Sequence, residues 1–369
     1  QGGQLTDKVN KKTADNSIIS DYDYTYYLDG NIKSENTRTF TYDNAGRLKQ
    51  EQNGAESITY SYDKLGNRAA MNKNGAVTNY TYDQNNRLLQ EVTGDQYTFY
   101  HYDDRGNLYS KRTDERSAAG DLTRVDTFGA LKHDVNSTVE LYSYDGFNRM
   151  TEARKGAMTA QYQYNAEGIR TSKTVNGVRT DFLLDGANVI AETKNGTTTN
   201  YIRGASGIIS SSVFGSNSLT KYYTSDGHGN ITNLTNSSGD VVKTYVYDAF
   251  GVEQNIDPND LNPFRYCGEY YDSEINQIYL RARYYNPSLG RFTQSDPAMA
   301  DGMNWYVYCG NNPVLFIDPF GLKSRRVDVP IASDYPDESK YRQACLEFER
   351  ESKTTKSPVT IIQDENDIY

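Results

Sequence analysis

Aromatic and small polar residues alternate along much of the chain, as in Ser57-Ile58-Thr59-Tyr60-Ser61-Tyr62 and Thr78-Asn79-Tyr80-Thr81-Tyr82. A period of two sends successive side chains to opposite faces, so each run predicts a β-strand with one aromatic face and one polar face. Each strand ends at a Tyr-Asp pair followed by a turn. Asp43-Asn44-Ala45-Gly46 and Asp63-Lys64-Leu65-Gly66 place Asp where its side chain bonds the turn backbone, and Gly where φ is positive. A second strand opens with Arg47-Leu48, Arg68 or Arg87-Leu88 and closes at Asn53-Gly54 or Asn74-Gly75, a dipeptide favoured in two-residue hairpin loops. One unit is one hairpin. The units recur at a fixed step: Tyr42-Asp43, Tyr62-Asp63, Tyr82-Asp83 and Tyr102-Asp103 lie 20 residues apart, with turns at Gly46, Gly66, Asn86 and Gly106. Such a period predicts an all-β fold of tandem hairpins forming a curled antiparallel sheet or shell. Equivalent tyrosines, two strands and about 10 Å apart, form an aromatic stripe across it.

The pattern divides the chain. Residues 1–21 lead in and read as the interior of a longer polypeptide, and residues 22–180 hold regular repeats, with a degenerate one at Val125-Asp126-Thr127-Phe128-Gly129. From 181 to 262 the repeats vary, as in Leu184-Asp185-Gly186 and Tyr245-Val246-Tyr247-Asp248. Prolines concentrate beyond position 260, where a dense run over 263–322 follows no 20-residue template. Counted as hairpins, residues 22–322 give about thirty strands, roughly 145 Å of sheet and a hoop about 45 Å across.

Composition fits a sheet of amphipathic side chains. There are 33 Tyr and 12 Phe but one Trp, and only 36% of residues are hydrophobic, too few for an oily core of this length. A tyrosine ring buries apolar area while its hydroxyl stays bonded. The net charge of −10 argues against nucleic-acid binding by the shell, which needs clustered Lys and Arg. No apolar run is long enough to span a membrane. Cys267, Cys309 and Cys345 have no CxxC spacing, so neither a disulfide framework nor a zinc site is expected, and no cofactor is implied. A calcium ladder of Asp43, Asp63, Asp83 and Asp103 competes with an obvious turn role for each. Arg47, Arg68 and Arg87 are expected to stack on tyrosines, and His228 to sit in a turn.

The segments Phe264-Arg265-Tyr266-Cys267-Gly268-Glu269-Tyr270-Tyr271-Asp272, Leu280-Arg281-Ala282-Arg283-Tyr284-Tyr285-Asn286-Pro287 and Gly290-Arg291-Phe292 carry a more specific signal. With Ser295-Asp296-Pro297, Asn304-Trp305-Tyr306-Val307-Tyr308, Asn311-Asn312-Pro313 and Asp318-Pro319-Phe320-Gly321-Leu322, they resemble the Rhs/YD-repeat family and its repeat-associated core. The resemblance covers roughly residues 22 to 322. Asn286 stands where the family has Asp, and Asp301-Gly302-Met303 replaces a Gly-Gly stretch. In Rhs proteins and the C components of Tc toxins the repeats wind into a hollow cage, the core plugs one end, and a variable toxin follows the Asp-Pro-x-Gly-Leu motif. The resemblance therefore implies an aspartyl autoprotease that cuts after Leu322, at the Leu322-Lys323 bond, using Asp296 and Asp318. Arg291 is assigned to bias the pair or bind the oxyanion. It also implies a secreted or cell-surface bacterial protein whose partners are its own C-terminal effector segment, a delivery component and an immunity protein.

Two carboxylates a few ångströms apart hold one proton between them and so supply an acid and a base for water attack on a peptide. The competing reading makes each Asp-Pro a turn or cap. A second function, a carbohydrate-binding adhesion module without protease activity, follows if the aromatic stripe is exposed. The tail, 323–369, opens with basic Lys323-Ser324-Arg325-Arg326, then predicts a helix over 337–353, capped near Asp334 or Asp337, and a short strand at Val359-Thr360-Ile361-Ile362. It is expected to lie on the concave side of the sheet, facing the tyrosines. No toxin enzyme is recognisable in it.

Overall fold

The computed structural model describes residues 4–115, 138–204, 207–254, 256–298 and 302–327. The degenerate repeat near 125 and the tail helix and strand lie outside the described residues. Among those described, twenty-two strands, from Asp7–Lys11 to Val241–Thr244, form one antiparallel meander in which sequence neighbours pair. A strip of that many strands is about 105 Å long, enough for a hoop roughly 34 Å across. The larger hoop expected above counted residues beyond 245 as shell. They form separate small sheets instead.

Each repeat is the expected hairpin with one addition. In the turn after Tyr42, Asp43 Oδ1 accepts the N–H groups of Ala45 and Arg47, and Gly46 N–H closes on the Asp43 carbonyl at φ +77°. This is the use of the repeat Asp, and Arg47 returns to pair with its carboxylate. Pairing jumps from Thr41↔Gln50 to Tyr42↔Leu48, a β-bulge repeated at Tyr62, Tyr82, Tyr102, Tyr144 and Tyr164. A bulge bends its strand and adds twist, so a bulge in every repeat curls the sheet. On the other flank, pairing of Leu48–Asn53 with Glu56–Tyr62 stops at Gln50↔Thr59. The Leu48 carbonyl beyond that point accepts the Tyr62 hydroxyl at 2.7 Å. Tyr82 to Arg68, Tyr144 to Leu108 and Tyr164 to Met150 repeat this staple.

At the far ends the loops differ from expectation by one residue in part of the repeats. Asn74-Gly75 is the two-residue loop with both φ positive, but Asn53 pairs with Glu56 as the last strand residue, and Gly54-Ala55 is the loop. Gly54, at φ +57°, occupies the first loop position, where a type II′ turn requires glycine.

The aromatic stripe faces inward and is buried. Tyr24, Phe40, Leu48 and Tyr60 pack with Phe250, Val314 and Leu315; Tyr80, Tyr100, Tyr142 and Tyr162 pack with Tyr279, Tyr284 and Leu289; Phe182, Tyr201 and Leu234 pack with Tyr266, Tyr270, Tyr285 and Tyr308. Among the described residues the stripe is thus covered by residues of 264–298 and 302–317, and it presents no open stacking surface there. Arg47 covers the Tyr62 ring and Arg68 the rings of Tyr60 and Phe250, as expected, while Arg87 is ion-paired with Asp83. The first hairpin returns to the last: Lys8 donates to Ser225 Oγ and the Asp226 carbonyl, Tyr22 to Thr232, and Lys12 pairs with Asp240.

The inner segment is organised around the strands Tyr270–Asp272, Gln277–Leu280, Arg283–Asn286 and Arg291–Phe292. Its donors read the row of repeat turns one after another. Asn312 bonds the carbonyl of Gly46, Asn311 that of Gly66, Arg291 that of Asn86, Tyr306 that of Gly106 and Gln294 that of Asn148. These carbonyls sit at the same place in successive turns. The motif Asn-Asn-Pro therefore serves as a polar zipper between core and shell.

A candidate cleavage site at the end of the core

The loop 318–322 lies against the turn that joins Gln277–Leu280 to Arg283–Asn286. The two residues of that turn and the strand residue after it hold three consecutive carbonyls of the loop. Arg281 Nη1 donates to Pro319 at 2.7 Å, Ala282 N–H to Phe320 at 3.2 Å, and Arg283 Nε to Gly321. Gly321 has φ +65°, and a Cβ there would lie 2.8 Å from the Leu280 carbonyl oxygen. Only glycine lets the loop approach this closely.

Asp318 and Asp296 are both buried, at 1% and 4% exposure. Asp318 Oδ1 accepts the N–H of Leu322 at 3.1 Å and that of Lys323 at 3.2 Å. Asp296 Oδ1 accepts the N–H of Ala298 at 2.8 Å, an Asx turn. Each aspartate thus does the turn work of the competing reading with one oxygen. The other oxygens converge on Arg283: Nη2 lies 3.6 Å from Asp296 Oδ2 and 3.7 Å from Asp318 Oδ2. The two carboxylates are therefore no more than about 7 Å apart. Arg283 is fixed from the remaining side, its Nη1 on the Trp305 carbonyl at 3.0 Å and its guanidinium 3.6 Å from the centre of the Phe292 ring.

Arg291 sits elsewhere. Its guanidinium bonds the Asn86 carbonyl and lies over the rings of Tyr82 and Tyr306. The arginine that the structure brings to both carboxylates is Arg283, which the sequence shows only as one of several in a motif. Beyond Lys323 the chain pairs with the core again. Arg325–Arg326 forms a ladder with Phe316–Ile317, and Val327 N–H bonds the Leu315 carbonyl. His228 lies in its turn, with Cys267 Sγ 3.6 Å from Nδ1. Burial pushes that thiol up and that imidazole down, so the pair is neutral and not a thiolate nucleophile. Among the described residues no group of three or more His, Cys, Asp or Glu is placed to hold a metal ion. No described helix is long and apolar enough to cross a membrane.

The Teneurin YD-shell family model matches residues 27–314. The chain belongs to this family. The tRNA nuclease WapA of Bacillus subtilis is 36% identical over 195 residues, 49% of this chain and 8% of that protein. The toxin Tse5 of Pseudomonas aeruginosa is 44% identical over 61 residues, 16% of this chain and 5% of Tse5. Among solved structures, the Tc holotoxin pore of Photorhabdus luminescens aligns over 86% of this chain and 20% of the matched chain, with 15% identity and a TM-score of 0.40. The chain spans less than a tenth of the length of the WapA proteins. It is a YD-shell protein related to bacterial toxins.

Proposed function

We propose that the chain is the shell and core of an Rhs-type toxin, and that the core hydrolyses its own Leu322-Lys323 bond once, freeing a C-terminal effector that the shell retains. The observation that carries this reading is the contact of Asp318 Oδ1 with the N–H of Lys323, the nitrogen that leaves when the bond is cut. One carboxylate, Asp296, removes a proton from an attacking water as its oxygen bonds to the Leu322 carbonyl carbon. The C–N bond then breaks, and Asp318 in its acid form delivers a proton to the Lys323 nitrogen. The approach of Arg283 to both carboxylates and its bond to the Gly321 carbonyl support a preorganised site, and the tethered bond needs no substrate binding. The role expected of Arg291 passes to Arg283 in this scheme.

The ladder of Arg325–Arg326 on Phe316–Ile317, which lies downstream of the bond, supports retention of the fragment. The WapA and Tse5 names support a toxin context, and with it secretion or surface delivery, a delivery component and an immunity partner. Asp318→Asn and Asp296→Asn test the chemistry. Each is expected to leave the 322–323 bond intact with an unchanged far-ultraviolet circular dichroism spectrum. Undiminished cutting in both variants rejects the aspartyl mechanism.

A further inference from the structure

A cleft beside the gripped loop is built from repeats that break the Tyr-x-Tyr-Asp pattern. In a regular repeat the tyrosine before Asp bonds the carbonyl fourteen residues earlier, as Tyr62 does to Leu48. In Thr197–Gly204 that position, after the same bulge, is Arg203, and its Nε donates to the Val189 carbonyl at 3.3 Å, again fourteen residues back. One of five guanidinium N–H groups replaces the tyrosine hydroxyl, and the charge and the remaining donors exceed what the staple needs. The neighbouring Val178–Asp185 has Leu184 at the same position, and its turn shrinks to Gly186-Ala187. Where the ring is missing, an open cleft has Leu184, Val189, Arg203, Phe264, Glu269 and Arg281 among its lining residues.

The charges in this cleft do not balance. Arg281 is bound to Glu269 and to the Pro319 carbonyl. Arg203 makes no ion pair among the described residues; its guanidinium lies over the Phe264 ring at 4.8 Å. Burial pushes it down to about 10, with Glu269 opposing and Arg281 adding to the shift. Arg170 also lines the cleft but is paired with Asp272; of the remaining charges, the two cations Arg203 and Arg281 face one carboxylate, Glu269, among mostly apolar walls. We propose that the cleft binds a small oxyanion of the phosphate class, held by the spare N–H groups of Arg203 with Arg281 as the second positive neighbour. A planar fork matched to two oxygens is the chemistry for which arginine outperforms lysine. The site stands whether or not the 322–323 bond is cut.

The test is calorimetric titration of inorganic phosphate into the full chain at constant ionic strength. A saturable 1:1 heat is expected, with a phosphate-dependent rise of roughly 1–3 °C in Tm. Arg203→Gln is expected to abolish both, Arg203→Lys to weaken binding roughly tenfold while keeping the charge, and Arg154→Gln, on the exposed face, to change neither. Absence of saturable binding up to about 50 mM, or wild-type affinity in Arg203→Lys or Arg203→Gln, overturns the proposal.

Discussion

Arg283 joins four groups of the core: Asp296, Asp318, the Gly321 carbonyl and the Trp305 carbonyl. Lysine keeps the charge but has a single point of attachment, so it cannot hold a carbonyl through Nε and two carboxylates through Nη2 at once. Arg283→Lys is expected to slow the proposed self-cleavage by roughly 10²-fold or more, the usual loss when one preorganised donor is removed, measured as the half-time of fragment appearance on a denaturing gel. Gly321→Ala should act through geometry alone. Its left-handed φ and the nearby Leu280 carbonyl force the loop off the turn, so slow cleavage in a folded protein is the expected outcome, and wild-type kinetics would show that the close approach is dispensable. Asp296, Asp318 and Leu322 were named from the sequence because a specific motif carries them, and both aspartates approach one arginine. Arg283 was not separable from Arg281 and Arg291, since which arginine reaches the carboxylates is decided by a tight turn at Arg281-Ala282 and not by spacing.

The hairpin unit was legible almost entirely, because period-two alternation and Asp-x-x-Gly turns are local signals. The bulge after each Tyr-Asp strand was not, since an extra residue is visible only once both strands are paired. The hydroxyl staple compensates the ladder bond that the splayed strands lose. Tyr62→Phe should therefore cost about 1–3 kcal/mol in urea unfolding by leaving the Leu48 carbonyl short of a donor; a change near zero would mean that water replaces the hydroxyl. Asp248 offers a pH test of the turns. Its Oδ1 accepts the N–H groups of Phe250 and Val252, and burial, reinforced by Glu51, pushes its carboxyl up to about 7. A folded-state pKa raised above the unfolded one means that stability is full below the unfolded value and is lost as pH rises through the folded value. Burial also raises Glu35 and Asp226, and their contribution has the same sign. Tm is expected to fall between about pH 4 and pH 7, and Asp248→Asn, which keeps the accepting oxygen, to flatten that fall. An identical slope in the variant would assign the effect to other groups.

At the scale of the molecule, shell and core share their buried clusters. Arg170, on a shell strand, makes a two-pronged pair with Asp272 of the core, and Lys173 joins Asp272 to Glu274. Burial favours the neutral acid there, but the two cations outweigh it and hold Asp272 below the usual carboxylate range. The filling of the concave side escaped the sequence because its contacts join residues distant along the chain, 102 positions apart for Arg170 and Asp272 and 239 for Asn304 and Leu65. The inward tyrosine stripe faces the core; of the tail expected on the same side, Val327 packs against the Tyr24 and Phe40 cluster, and residues 328–369 lie outside the described residues. The ladder of Arg325–Arg326 on Phe316–Ile317 implies that a fragment beginning at Lys323 stays bound after hydrolysis. The two pieces should co-elute in size-exclusion chromatography under native conditions and separate in denaturant, and native separation would show that the ladder does not retain the fragment.

The central claim, that this core cuts the chain at the bond held by Asp318, is tested most directly by the intact mass of the freshly purified wild-type protein under denaturing conditions. The account predicts two species whose masses correspond to residues 1–322 and to a fragment beginning at Lys323. A single species of 369 residues, or a break at any other bond, would contradict it.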